Sequence, residues 1–275
     1  MRKTLYGRSM AWTRIYQESE PQRINRWLAQ NGVCSRREAE GLVAQGLVSI
    51  DGETVTDVGR KIEQGQSLVL ADQAQARLTS ALTVMIHKPA GIVSAQPDPG
   101  QIPAVRLLTR AALVGRSPTI PGRDSRLAPV GRLDKDSRGL LILSEDGVVA
   151  KAVIGPQATL EKEYRVSVIG EITPDKLDRL RHGLTLDDRR LKPAQVRMIS
   201  DGRFEMILTE GRNRQIRRMC DLVDLKVVDL FRVRVGPISL GNLPEGRWRV
   251  LTGDERQALI DPPLSDREHD IRLAD

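Results

Sequence analysis

"RINRWLAQNGVCSRREAEGLVAQGLVSIDGETV", residues 23–55, decides how the first part of this chain is read. Ile24, Trp27 and Leu28 fall at helical spacing, and Asn31-Gly32 stops the run. Ser35 with Glu38 three residues later makes a capping box, so a second helix begins at Arg36. Ala39, Leu42 and Val43 form its inner face, and Gly46 ends it. "LVSIDGETV" then reads as strand, turn, strand, because Asp51-Gly52 suits the positive φ angles of a tight hairpin. "QSLVL", residues 66–70, adds one more short strand.

Charge is arranged in this stretch, not merely abundant. Residues 21–70 hold six basic and six acidic side chains, yet Arg23, Arg26, Arg36 and Arg37 precede every acid. Arg36 and Arg37 open the second helix, whose N-terminal amides also attract anions. These four arginines are expected to meet phosphates. The whole chain is basic as well, with 43 Lys and Arg against 36 Asp and Glu over 275 residues, a net charge of +7. That balance favours a polyanionic partner such as nucleic acid. No apolar run approaches the roughly 20 residues that span a bilayer, so a membrane is not the expected partner. Residues 1–20 mix Arg, Tyr, Trp and Glu and contain no signal-peptide core. Cys34 and Cys220 stand far apart and form neither a disulfide framework nor a zinc spacing. The expected location is cytoplasmic, with no metal.

Beyond residue 70 the expectation is a linker over 71–81, "ADQAQARLTSA", and a second domain over 82–255. "TVMIHKPAG" runs from a strand into a turn, and its His87 reads as a structural strand histidine. Residues 97–126 are rich in Pro, Gly and Arg, with one helix candidate in "AVRLLTRAALV". "LLILS" is an apolar run short enough for a buried strand, and "EKEYRVSVIG" alternates as a strand does. "TPDKLDRLRHG" is a helix capped by Thr173, and "RMISDGRFEMILT" is a hairpin about Asp201-Gly202. "NRQIRRMCDLV" is a basic helix. "KVVDLFRVRV" is a long strand with Arg232 and Arg234 expected on its solvent face. The fold class is therefore α+β: a small unit of two helices and short strands over 21–70, then a larger mixed, mostly antiparallel sheet flanked by helices. Residues 1–20 and 256–275 read as mobile extensions.

Three features of the second domain can carry chemistry. "GRLDKDSRG", residues 131–139, sets Asp134 in a glycine-bounded loop crowded with charge. Tyr164 in "EKEY" is the only tyrosine after residue 20. "EGRNRQIRRM" places Arg212, Arg214, Arg217 and Arg218 within seven residues. Each alone is satisfied by a bland reading: a paired loop carboxylate, a half-buried strand tyrosine, a basic surface helix.

Together, and in this order, they resemble the pseudouridine synthases of the RsuA/RluB/RluE/RluF type, closest to the RluF branch. Residues 23–55 resemble the S4 RNA-binding domain that precedes the catalytic domain in that family. The resemblance spans roughly residues 21–253. It implies that Asp134 is the catalytic aspartate, that Tyr164 stacks on the target base, and that Arg217 pairs with the aspartate. It also implies that Ile216 is the apolar residue beside the flipped base. Arg132, Lys135, Arg212, Asn213, Arg214, Gln215 and Arg218 are expected on the RNA, with the four arginines of the S4 unit. The implied reaction isomerises a uridine in structured RNA, most often large-subunit ribosomal RNA, with transfer RNA as another substrate, and the implied state is a monomer. Uridine becomes pseudouridine when N1–C1′ breaks, the uracil turns and C5 bonds to C1′. Nothing is oxidised, reduced or added, so no cofactor is expected. An ionised carboxylate serves such a step as nucleophile or as base.

Two rivals are weaker. A non-catalytic RNA-binding or ribosome-assembly factor would explain the charge but not the joint presence of Asp134, Tyr164 and Arg217. A glycoside hydrolase needs a second carboxylate across a sugar, and Asp136 is too near Asp134 in sequence to supply it.

Overall fold

A computed structural model describes residues 12–122 and 125–262. The chain divides between Leu82 and Thr83, with residues 146–148 grouped with the first part.

The N-terminal unit contains β1 (Thr13–Ile15), β2 (Gln22–Arg23), α1 (Ile24–Gln30), α2 (Arg36–Ala44), β3 (Val48–Ile50), β4 (Glu53–Val55), β5 (Lys61–Ile62), β6 (Ser67–Leu70) and α3 (Asp72–Thr79). Its sheet order is β1-β6-β3-β4, and β2 pairs with β5. Ser35 accepts from the Glu38 amide while the Glu38 carboxylate accepts from the Ser35 amide, which is the expected capping box. Asp51 and Gly52 take φ of 49° and 86°, the backbone of a tight two-residue hairpin. Ile24, Trp27, Leu28, Ala39, Leu42 and Val43 are buried against the strands.

Two expectations fail here for physical reasons. Residues 12–20 are not an extension. β1 adds to the edge of β6, and Tyr16 is buried, with its ring edge-on to Trp27 at 5.6 Å. A sheet edge and an apolar slot supply enough contact to order this stretch; residues 1–11 lie outside the described residues. Residues 71–81 are not a plain linker. Asp72–Thr79 is α3, built of good helix formers and anchored by buried Ala74 and by Leu78. So small an apolar face leaves little periodicity to read.

The second unit contains β7 (Thr83–Lys88), β8 (Ala128–Val130), β9 (Arg138–Ser144), α4 (Gly147–Ile154), β10 (Lys162–Ile169), α5 (Pro174–His182), β11 (Thr185–Leu186), β12 (Arg189–Arg190), β13 (Gln195–Ser200), β14 (Arg203–Leu208), α6 (Gln215–Asp221), β15 (Lys226–Val235), β16 (Ile238–Ser239), β17 (Trp248–Val250) and α7 (Gly253–Ile260). Its main sheet runs β13-β14-β10-β15-β9-β7-β17, with β16 on β15 and β8 on β9. Among the described strands of this sheet β15 and β9 alone form a parallel pair, so the sheet is mixed and mostly antiparallel. Thr173 caps α5, with Pro174 in its first turn and Gly183 after it. Leu140, Leu141, Ile142 and Leu143 of β9 are fully buried, as a central strand covered on both faces should be.

Residues 104–114 do not form one helix. Thr109 turns its hydroxyl onto the Ala112 amide, which splits the run into 3-10 turns at Ala104–Leu107 and Arg110–Ala112. The expected tail from 256 is also shorter: α7 continues to Ile260 behind a Thr252/Glu255 capping box, and residues 263–275 lie outside the described residues. Among the described residues no helix is long and apolar enough to cross a membrane.

Candidate active site

Asp134 stands in the loop that joins β8 to β9. Most of the carbonyls around it are held from outside the loop. Ser94 Oγ donates to the Leu133 carbonyl at 2.7 Å and accepts from the Leu133 amide at 2.9 Å. The Gly91 amide donates to the Lys135 carbonyl at 2.7 Å. Arg232 Nη2 donates to the Gly131 carbonyl at 3.1 Å, Nη1 to Arg132 at 3.4 Å and Nε to Leu140 at 2.7 Å. Arg217 Nη2 donates to the Asp136 carbonyl at 3.0 Å. A loop so restrained holds its central side chain in one place, which is what a reacting group needs.

Arg232 reaches this position through a fault in the ladder. On β10, Glu163 pairs with Arg234, but the next residue, Tyr164, pairs with Arg232. Val233 is skipped. Partners across a strand pair share a face, and neighbours on β10 point to opposite faces, so the bulge separates two arginines that simple alternation would leave together. Arg232 is 1% exposed, and the expectation of a solvent-facing residue is wrong for it. Arg234 stays at the other face, 2.7 Å from Glu163 and 2.9 Å from Glu161. Opposite Arg232 lies Gly139, where an added Cβ would stand 2.2 Å from the Arg232 carbonyl oxygen. Only glycine lets β9 come this close to β15.

The two aspartates of the loop differ. Asp136 receives both Arg214 Nη atoms at 3.1 Å, and Arg217 Nε lies 3.3 Å from its Oδ2. Burial pulls the Asp136 carboxyl up, but the Arg214 hydrogen bonds and the Arg217 charge win and hold it below the usual carboxylate range. Asp134 has a single long ion pair, 3.7 Å to Arg214, and its side chain is 25% exposed. The expected Arg217–Asp134 pair is therefore replaced by Arg217–Asp136, because Arg217 is drawn under the loop by the Asp136 and Val227 carbonyls. Arg214 takes the place beside Asp134. It does so from a left-handed backbone, φ 47° and ψ 34°, at the cap of α6, a conformation that a non-glycine residue rarely adopts.

These groups line one cavity of about 1010 Å³, among them Asp134, Arg132, Arg214, Tyr164, Ile216 and Leu230. Tyr164 and Ile216 line this space, yet they are only 9% and 4% exposed, so most of each side chain is packed against the protein. The site thus combines an accessible carboxylate, an aromatic face and fixed cations, with room for more than a single base.

Other expected RNA contacts divide. Arg132, Lys135 and Asn213 are exposed, and so are Arg23, Arg26, Arg36 and Arg37, none of which is paired with a carboxylate among the described residues. Arg212 is taken up by the carbonyls of Leu186, Arg189 and Arg190. Arg218 sits on Asp187 at 2.7 Å. Gln215 is buried and braces Glu210 and the Arg212 amide, so it is structural. His87 is structural too: its ring stacks on Phe231 and Nδ1 meets the Leu243 carbonyl at 2.9 Å.

The sequence reading missed three residues and misplaced a fourth. Ser94 and Arg232 are described above. Lys88 is fully buried at the end of β7, with Nζ donating to the Pro89 and Ile92 carbonyls. Burial pushes it down to about 8, against the opposing pull of Asp134 and Asp136. Lys162 lines the same cavity as Tyr164, and burial followed by the charges of Arg232 and Lys192 lowers it as well. One signal was available: a lysine in a strand otherwise as apolar as "TVMI" has to be held by something.

Comparison with known proteins shows the family. The sequence pattern of the RNA pseudouridylate synthase family matches residues 82–222, and that of the S4 domain matches residues 22–68. The chain is 32% identical over 235 residues to the dual-specificity RNA pseudouridine synthase RluF of Escherichia coli (strain K12), covering 85% of this chain and 76% of that protein. It is 35% identical over 246 residues to the ribosomal large subunit pseudouridine synthase B of Yersinia pestis, covering 84% and 72%. A crystal structure of a pseudouridylate synthase superposes with a TM-score of 0.60 at 25% identity, over 86% of this chain and 99% of the other.

Proposed function

The chain belongs to the RNA pseudouridylate synthase family, and we propose that its substrate is a uridine in a structured region of large-subunit ribosomal RNA. It acts as a monomer in the cytoplasm, and Asp134 carries the chemistry. The observation that supports this most is the contrast within one loop, where Asp136 is paired with Arg214 and Arg217 while Asp134, with one long contact to Arg214, lines the cavity. A uridine in a helix hides its C1′ and its N1, so the nucleotide must leave the stack. The uracil then lies on the Tyr164 ring with Ile216 beside it, and the exposed Arg132 holds a flanking phosphate. N1–C1′ breaks, the uracil rotates in place, C5 bonds to C1′, the C5 proton leaves to solvent and N1 takes up a proton, so the product is an isomer of the substrate. Every heavy atom of the product comes from the substrate.

The test is release of tritium from RNA labelled at uracil C5, comparing the wild type with Asp134→Asn. Release from large-subunit ribosomal RNA by the wild type, and none by the variant, is the expected result. Release from transfer RNA alone would overturn the substrate assignment. Equal release by both proteins would overturn the role of Asp134.

A further inference from the structure

Between Ala95 and Pro129 the sequence holds five arginines, two aspartates and no lysine or glutamate. Both ends of this excursion line the active-site cavity: Ala95 and Gln96 where it leaves, Ala128 and Pro129 where it returns. Its middle is built rather than loose. Ala104 and Leu108 are buried, and the Ala104 amide and the Val93 carbonyl are joined at 2.8 Å. Trp248 Nε1 donates to the Thr109 carbonyl at 2.8 Å, the Val114 amide donates to the Trp248 carbonyl at 2.8 Å, and Arg247 donates to the Ala111 carbonyl. The segment therefore runs from the cavity mouth to β17, the sheet's edge strand, and back.

On this pinned scaffold Arg106, Arg110, Arg116 and Arg126 are exposed. Among the described residues no carboxylate pairs with any of them. Other arginines of the unit are committed to the protein: Arg138, Arg218, Arg234 and Arg249 sit on carboxylates at 2.6 or 2.7 Å. Arginines left without partners on an ordered surface present guanidinium groups to an external anion. β17 lies three strand positions from β15, about 14 Å at the usual spacing, so this surface reaches past the target nucleotide.

We propose that residues 95–122 and 125–129 form a second RNA-binding surface, which grips the phosphate backbone of the stem flanking the target uridine. It rests on the RNA-isomerising reading above and names a part of the substrate that the cavity does not touch. Backbone contacts of this kind set affinity and register without reading bases.

The experiment combines Arg106→Glu, Arg110→Glu and Arg116→Glu in the full chain. Binding to protein-free large-subunit ribosomal RNA is measured against salt concentration, and turnover is measured at saturating RNA. Each lost phosphate contact removes nearly one from the slope of log affinity against log salt, so the slope should become shallower by about 2 to 3. KM should rise at least about tenfold at 0.15 M salt, with kcat unchanged. The matching triple lysine variant should behave as the wild type, because it keeps the charge. Binding to a short oligouridine should not change. An unaltered slope and KM in the glutamate variant would overturn the proposal. So would a fall in kcat with binding intact, which would mark the segment as structural. Absence of turnover by the wild type would count against the uridine-isomerising reading, while the binding slopes would still decide this surface.

Discussion

The Asp134 loop and the helix pair of the N-terminal unit are both dense in arginine, and they use it in opposite ways. In the loop, Arg214 and Arg217 share Asp136, and Arg232 is closed over three carbonyls. In the helix pair, Arg23, Arg26, Arg36 and Arg37 are exposed. An arginine whose donors are already taken fixes protein geometry, and one whose donors face water can take a phosphate. Charge density alone does not separate these roles; partnership does.

The contrast breaks most sharply at Asp134. Asp134→Asn should lower turnover by about 10³-fold or more while RNA binding holds, because it removes the reacting carboxylate and leaves the clamps in place. Asp136→Asn should cost only about 10²-fold in the same tritium assay, since it loosens the loop without removing that group. Equal losses would mean that the two aspartates are not distinguished as the ion pairs suggest.

Arg232→Met comes next. It orphans carbonyls of Gly131, Arg132 and Leu140 in a buried place, and should destabilise the protein by about 2–4 kcal/mol in denaturant titrations. The surviving folded enzyme should show a lower kcat with little change in KM.

Tyr164 tests whether the ring or its hydroxyl is used. Tyr164→Leu should lose about 1–3 kcal/mol of stacking, or about 10 to 100-fold in kcat/KM, whereas Tyr164→Phe should keep most of the activity. A large loss in the phenylalanine variant would assign the hydroxyl a role.

Arg36→Glu with Arg37→Glu addresses the other side of the comparison. KM should rise several-fold and the salt slope should become shallower by about 1 to 2, with kcat unchanged.

The smallest effect concerns Lys88. Its folded value of about 8 lies below the ordinary 10.5. Between those pH values the unfolded chain binds more protons, so this group adds stability as pH rises through that window. The charge beneath Asp134 is lost over the same range, so kcat should decline above about pH 8. Lys88→Arg should remove that alkaline decline, which a pH–rate profile would show.

Much of this was legible in the chain itself. The Ser35/Glu38 box, the Asp51-Gly52 hairpin, Thr173 before α5 and the apolar run of β9 are local signals, because each is satisfied by residues within a few positions. The order of "GRLD", "KEY" and "NRQIRRM" was enough to identify the family. Tertiary structure decided the rest. Which aspartate Arg217 holds depends on carbonyls brought from 81 residues away in sequence. Arg232 turned inward because of a single skipped residue between β10 and β15, which no pattern along one strand can reveal. Residues 12–20 were ordered by a neighbouring sheet edge, and α3 by a face of only two apolar side chains, Ala74 and Leu78. Local periodicity reports what a segment does with its own backbone; where a charge ends is set by the partner that folding delivers to it.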